Sequence, residues 1–387
     1  MKNGIGFASG FAFIATLFCV QPSFGQGCII SRSNGEVGGP ESEGGYLQPG
    51  QFDLVDGYRH QFSSRHFLGP REETYVSQIG IQQMNRINLQ NYALTYQATS
   101  RFSVTADIPL IFASRHQNNT PVTYTSSGFG DASLIVNGWV WKPQENTKGN
   151  IQFGVGLLAP SGKTNVMNHV NFQDGRGAVP QVVDYSIQPG QGGWGIPFQW
   201  ISFKNVGKTQ LYFNGSYTAM LQSINLKTLR SGEAPNPLTL LQYNSISDQY
   251  LLEGGIAHAV PRVKGLTFTF GPRMEGVPAR NLFPGDNLGF RRPGFAISVE
   301  PGLQYARGGS VLTAQVARAF YRDRTVSVTD ALTGTHGDAA FADYVWLASY
   351  AYRFSAFHRT HAADHDHSMP DHNTADHNKT DTSSPDL

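Results

Sequence analysis

The chain is poor in cysteine, with two in 387 residues, and Cys19 lies inside an N-terminal apolar stretch. A mature chain would keep Cys28 alone, which excludes an internal disulfide framework. Beyond that stretch no apolar run reaches the roughly 20 residues that a helix needs to cross a bilayer, so any crossing must be made by strands. Charge is scarce at 15% of residues and almost balanced, Lys+Arg 29 against Asp+Glu 28, for a formal net charge of +1. That balance gives no field to attract nucleic acid or an acidic surface. Helix formers do not recur at 3.6-residue spacing, which argues against a helical bundle.

What the chain does have is glycine (43) and aromatic residues (12%), at a mean hydropathy of −0.30. Such a value fits strands in which only alternate residues face lipid. The stretch YVWLASYAYRF (344–354) shows the pattern most sharply. Tyr344, Trp346, Tyr350, Tyr352 and Phe354 share one parity, and Ser349 and Arg353 fall on the other. On a strand that places rings on one face, suited to the headgroup level of a membrane.

At the start, Lys2 precedes an apolar run from Ile5 to Val20 and then Ser23, Phe24 and Gly25. Residues 1–25 are expected to be a secretory leader cleaved before Gln26. Residues 26–50, rich in Gly, Glu, Ser and Pro, are expected to form a periplasmic or plug segment, with Tyr46 and Leu47 as the side chains that could enter a lumen.

From residue 51 onward the spacing predicts twelve strands, at 51–62, 86–98, 101–113, 130–142, 150–159, 194–204, 209–220, 249–260, 265–275, 294–306, 310–321 and 343–354. The connections alternate between short turns and long loops, the longest at 160–193. Transmembrane barrels sort their loops in this way, and an even strand number puts both termini on the periplasmic side. The expectation is therefore all-β: a transmembrane antiparallel up-and-down β-barrel over 51–354, in the outer membrane of a Gram-negative-type bacterium. Outer-membrane lipid and the barrel assembly machinery would be its partners. Pro109, Pro197, Pro272 and Pro301 fall inside proposed strands and predict bulges or early strand ends, since each lacks a ladder donor. In 310–321 neither parity is clean, because Arg318 lies with Leu312 and Val316.

The same parity places Asp53, Arg59, Asp107, Glu253, Arg273, Glu275, Glu300 and Arg353 on the inner face. Opposite charges in a narrow lumen are expected to pair, with solute selection as the functional alternative. Residues 355–387 predict a disordered tail in which His361, His365, His367, His372 and His377 alternate with Asp364, Asp366, Asp371 and Asp376. No cofactor is required by this reading, but imidazole and carboxylate together suit Zn, Cu or Ni. The lone Met369 argues against a Cu(I) site.

No enzyme is expected. Gly162-Lys163-Thr164 lacks the glycine five residues earlier that a phosphate loop needs, because Leu157 stands there. Ser33-Asn34-Gly35 follows Ser31-Arg32 rather than the histidine of the outer-membrane phospholipases.

At PLIFASRHQ (109–117), GFGDASLIVNGWVW (128–141) and GVGLLAPSGKTN (154–165), with Gly128, Gly130, Asp131, Pro160 and Gly162 as the motif, the chain resembles a family of outer-membrane barrels. These are known as phenol meta-pathway degradation proteins or transporters. The resemblance implies passage of small hydrophobic or aromatic solutes and no catalytic residues; the His-rich tail departs from it. The expected function is a channel or transporter for small, hydrophobic or aromatic solutes. The alternatives are a copper- or zinc-handling barrel that uses the tail, and a purely structural outer-membrane protein.

Overall fold

A computed structural model describes residues 46–175, 177–229, 242–283, 285 and 287–355. The leader, Cys28 and the histidine tail lie outside the described residues. Strands appear because apolar and polar residues alternate over long stretches. They are β1 (Gln51–Leu68), β2 (Arg71–Glu72), β3 (Gln83–Gln97), β4 (Phe102–Gln117), β5 (Thr123–Phe129), β6 (Ser133–Trp139), β7 (Gly149–Leu158), β8 (Met167–Asn171), β9 (Ala178–Val182), β10 (Gly195–Val206), β11 (Thr209–Met220), β12 (Ile224–Leu229), β13 (Tyr243–Ser245), β14 (Gln249–Ala259), β15 (Leu266–Val277), β16 (Gly294–Arg307), β17 (Ser310–Asp323) and β18 (Ala339–Ser355).

Twelve of these form a closed antiparallel barrel in the order β1-β3-β4-β6-β7-β10-β11-β14-β15-β16-β17-β18, and β18 pairs with β1 to complete it. The closing ladder runs from Gln51↔Ser355 to Phe67↔Ala339. Closure removes the sheet edges, so no row of backbone donors faces lipid. At the terminal end of this seam Phe52 stacks on Phe354 with ring centres 5.4 Å apart, and lies 4.8 Å from Tyr96. The stretch 344–354 is thus the strand that closes the barrel beside the first.

Short turns lie at the end that holds the termini, and the long connections lie at the other. Strands there run further than the periodicity predicts, as in β1, which continues to Leu68. The outward rings of β18 are exposed, Trp346 at 53% and Tyr352 at 47%, and so are Phe153, Val155 and Leu157 of β7 and Phe268 and Phe270 of β15. Arg318 points outward on the same face as exposed Leu312, opposite Tyr344, and so marks the upper edge of the apolar belt.

The expected bulges at the four prolines are not found. Strands run through each of them, because a proline removes a donor on one side only. The ladder from β10 to β7 skips Pro197, and that from β16 to β17 skips Pro301. The ladder from β14 to β15 skips Pro272. Pro109 sits where β4 changes partner, from β6 through Asp107 to β5 from Leu110. Register shifts occur instead at Gln61/Ser63 and Ser63/Arg65 and at Ile297/Ser298. Beside Pro272, Gly271 approaches β14 so closely that a Cβ would lie 1.8 Å from the Gly254 carbonyl oxygen, which leaves glycine as the residue that fits.

Candidate functional site: the barrel lumen

The inner face of β1, β14, β15 and β16 carries one connected charge network. Arg59 reaches from β1 to Glu275 on β15, with Nη2 to Oε1 at 2.5 Å and Nη1 to Oε2 at 3.0 Å. These strands are not neighbours in the barrel, since β18, β17 and β16 lie between them. The pair therefore spans the lumen. Arg273 donates to Glu275 at 3.0 Å, to Glu300 at 3.2 Å and to Glu253 at 3.3 Å. Two guanidiniums face three carboxylates, and amides complete the shell. Gln315 donates to Glu300 at 2.8 Å, Asn214 to Glu253 at 3.4 Å, and Arg59 to Gln61 at 2.9 Å. Arg59 and Arg273 are 1% exposed, so both charges are held away from solvent and depend on these partners. A cavity of about 20 Å³ beside Glu275, walled by Ala296, Ala317 and Ala340, has room for about one water.

The inner face of β3 and β4 carries an apolar patch, with Arg59 as the ladder neighbour of Leu89 on one side and Asn91 and Asp107 toward the terminal end. Ile87 and Leu89 of β3 and Ile111 and Ala113 of β4 face inward, and Val183 and Ile187 pack on them, both at 0% exposure. Val183 and Ile187 belong to the long connection 159–194, whose part 183–190 is buried in the barrel mouth while the β8–β9 hairpin is largely exposed. The glycine and aspartate motif anchors it. The Asp131 carboxylate accepts from the Gly162 N–H at 3.0 Å and the Gln191 N–H at 2.8 Å. Gly162 and Gly190 touch backbone to backbone, where a Cβ on Gly190 would lie 2.4 Å from the Gly162 oxygen. At the terminal end Trp139, Phe203, Tyr212 and Ala257 form an aromatic cluster. Tyr46 sits against Trp139 edge to face at 5.2 Å; the rest of the expected N-terminal segment up to residue 45 lies outside the described residues.

A second ion cluster closes the loop end. Asp184, the buried N-cap of a one-turn 3₁₀ segment (Tyr185–Ile187), receives both Arg292 Nη atoms at 2.9 and 3.1 Å, and Arg115 Nη1 lies at 3.2 Å. The Arg292 guanidinium also lies over Phe290 at 4.7 Å and Tyr185 at 5.2 Å. Burial alone would raise the Asp184 pKa. The Arg115 and Arg292 charges, with hydrogen bonds from Arg292 and Ser186, outweigh it and hold the carboxyl far below the usual carboxylate range.

Of the eight lumen residues that the sequence points to, Arg59, Glu253, Arg273, Glu275 and Glu300 join in one network. Asp53 and Arg353 stand apart as a pair across β1 and β18, Oδ1 to Nε 3.6 Å. Asp107 accepts from Asn91 at 2.6 Å and does not join the network. The sequence reading misses Asp184, Arg292, Val183 and Ile187, because loop segments carry no periodicity to betray an inward face, and Arg115, because β4 runs past the expected strand end at 113. Among the described residues no group of three His, Cys, Asp or Glu is placed to hold a metal ion. His361, His365, His367, His372 and His377 lie outside the described residues.

No family model matches the chain, and no curated protein matches it by sequence. Solved structures do. An outer membrane channel from Pseudomonas putida F1 superposes with a TM-score of 0.54 at 14% identity, covering 82% of this chain and 100% of that one. The translocator domain of the autotransporter NalP from Neisseria meningitidis gives 0.41 at 10% identity over 80% and 90% of the two chains. The Pseudomonas putida toluene transporter TodX gives 0.37 at 8% identity over 81% and 91%. The last two overlaps are too loose to bear on function. The fold is that of an outer-membrane β-barrel.

Two outcomes are expected. Arg273→Met leaves Glu253 and Glu300 buried without their cation and should cost about 3–5 kcal/mol, read as a lower urea midpoint for unfolding from lipid vesicles. The loop latch should hold in acid. A depressed carboxyl contributes stability above its unfolded value of about 3.9 and loses it only as pH falls through its folded value. Protection of 159–194 from protease should therefore be unchanged between pH 7 and about pH 4, whereas Asp184→Asn should expose the loop at every pH.

Proposed function

We propose that the chain is an outer-membrane channel for small hydrophobic or aromatic solutes, with both termini in the periplasm. The observation that carries this reading lies on β3 and β4. Ile87, Leu89, Ile111 and Ala113 form an apolar patch of the lumen that begins beside Arg59 and is covered by Val183 and Ile187. A water-filled pore for ions or sugars has a polar interior on all sides. Here one side of the lumen offers a track that an apolar molecule could follow once 159–194 withdraws. The aromatic cluster of Trp139, Phe203 and Tyr212 stands at the terminal end, with Tyr46 as its cover.

The charge network lies beside this patch. Each charged group in it has an opposite charge within reach, which limits the bare charge that a passing apolar solute would meet. The apolar belt, with Phe52 and Phe354 at one edge and Tyr344 at the other, is the surface for outer-membrane lipid. The closing strand is the element that the barrel assembly machinery would handle. The resemblance to the phenol meta-pathway barrels points the same way and rests on residues 109–117, 128–141 and 154–165. Asp131 and Gly162 of that motif act here as the anchor of the inserted loop.

The test is uptake into vesicles whose outer leaflet is lipopolysaccharide, since hydrocarbons cross plain phospholipid unaided. Entry of a monoaromatic hydrocarbon should exceed that of a sugar or of Zn²⁺. Leu89→Glu, which places a charge on the track, should reduce aromatic entry several-fold while the folded barrel keeps its heat-dependent gel shift. Equal entry of all three probes, or no entry of any, would contradict the proposal.

A further inference from the structure

The outer wall of the barrel is apolar along most of the strands, with one interruption. On β1 the outward residues between Phe52 and Phe62 are Leu54, Asp56, Tyr58 and His60, and on β3 those between Arg86 and Tyr96 are Asn88, Gln90, Tyr92 and Leu94. Phe52 to Phe62 is the length of one bilayer crossing, about 9–11 residues. Asp56, Tyr58, His60, Asn88 and Gln90 thus lie inside the belt. At the same rows β18 and β17 carry Tyr350 and Leu312, Ala348 and Ala314, Trp346 and Val316, while β4 carries Leu110 and Phe112.

The five groups are organised. Tyr58 donates its hydroxyl to Asn88 Oδ1 at 2.7 Å, and His60 Nδ1 meets the same oxygen at 2.8 Å. Gln90 donates to the Asp56 carboxylate. Asn88 Oδ1 only accepts, so His60 donates to it through Nδ1, and in the neutral imidazole Nε2 is then the acceptor. Gln90 keeps a carbonyl and one N–H for a further partner. Acyl chains offer neither, and a carboxylate facing them is unfavourable.

We infer that this face of β1 and β3 binds a second copy of the same chain, forming a two-fold dimer within the membrane. A two-fold axis along the membrane normal sets a patch against itself, so each group must be answered by a group from the same set. The Gln90 amide, donor and acceptor in one plane, meets that demand. The acceptors of Asp56 and His60 then face the donors of Gln90 and Asn88 in the other copy. Tyr92, Tyr350 and Leu110 around the patch supply apolar contact. No other outward stretch between the aromatic girdles carries such a cluster among the described residues, so the patch also sets which faces meet.

The experiment uses the full chain with Cys28→Ser, expressed into the outer membrane, and compares Tyr92→Cys at the patch edge with Val155→Cys on the outward face of β7. Oxidation should give a disulfide-linked species of twice the chain mass several-fold more readily for Tyr92→Cys. Light scattering of the wild-type protein in mild detergent should give the dimer mass, and Asp56→Leu with Gln90→Leu should convert it to a heat-shifting monomer. If that double variant does not fold, the Tyr92→Cys result on the intact patch decides. Equal cross-linking at the two sites, a monomer in membrane and detergent alike, or a cross-link to a different protein would overturn the inference.

Discussion

Everything in this molecule depends on the ladder between its first and last long strands. Inside a bilayer a backbone N–H or C=O without a protein partner costs several kcal/mol, so a sheet of this length is stable there only when it closes. The pairing of β1 with β18 meets that condition from Gln51↔Ser355 to Phe67↔Ala339. Once the ring is closed, the two-residue period of each strand has a fixed meaning. One parity faces lipid and the other faces the lumen, and a shift of one residue would turn Arg59 or Glu275 out into hydrocarbon.

The lumen that closure creates is too narrow to leave its charges in water, and the structure responds by pairing them. Arg59 and Glu275 join strands that do not touch through the sheet, so the network braces the barrel across its width. The other half of the interior is filled differently, by a loop that brings Val183 and Ile187 onto apolar wall positions. That loop is held at two places. Asp131 and the contact of Gly162 with Gly190 fix its root, and Asp184 with Arg115 and Arg292 fixes its inserted turn. A polar wall, an apolar patch and the loop that covers it are the parts on which the proposed channel for apolar solutes rests.

Much of this was legible in the sequence, and the reasons are specific. Alternation is local, so all twelve barrel strands and the lipid-facing rings of 344–354 could be read directly. The inward parity of Arg59, Arg273, Glu253, Glu275 and Glu300 followed from the same rule. Their partners did not, because Arg59 and Glu275 lie far apart in the chain and only barrel closure brings them together. The prolines misled, since a missing donor interrupts one ladder without bending the strand. The helix Val328–Thr333 carried a signal that went unread, the capping box of Ser327 and Asp330 followed by Gly334 in the left-handed conformation. The inserted loop carried none, because Val183 and Ile187 stand in a stretch without period.

The central claim is that part of the lumen wall is an apolar track covered by a loop. It is tested most directly by placing a cysteine at Leu89 in a Cys28→Ser background and comparing thiol reagents on the reconstituted barrel. The account predicts that a small neutral aromatic reagent reacts faster than a charged one of equal size, and that loosening the loop with Asp184→Asn speeds the neutral reagent further. A charged reagent reacting as fast as the neutral one, with or without Asp184→Asn, would contradict it.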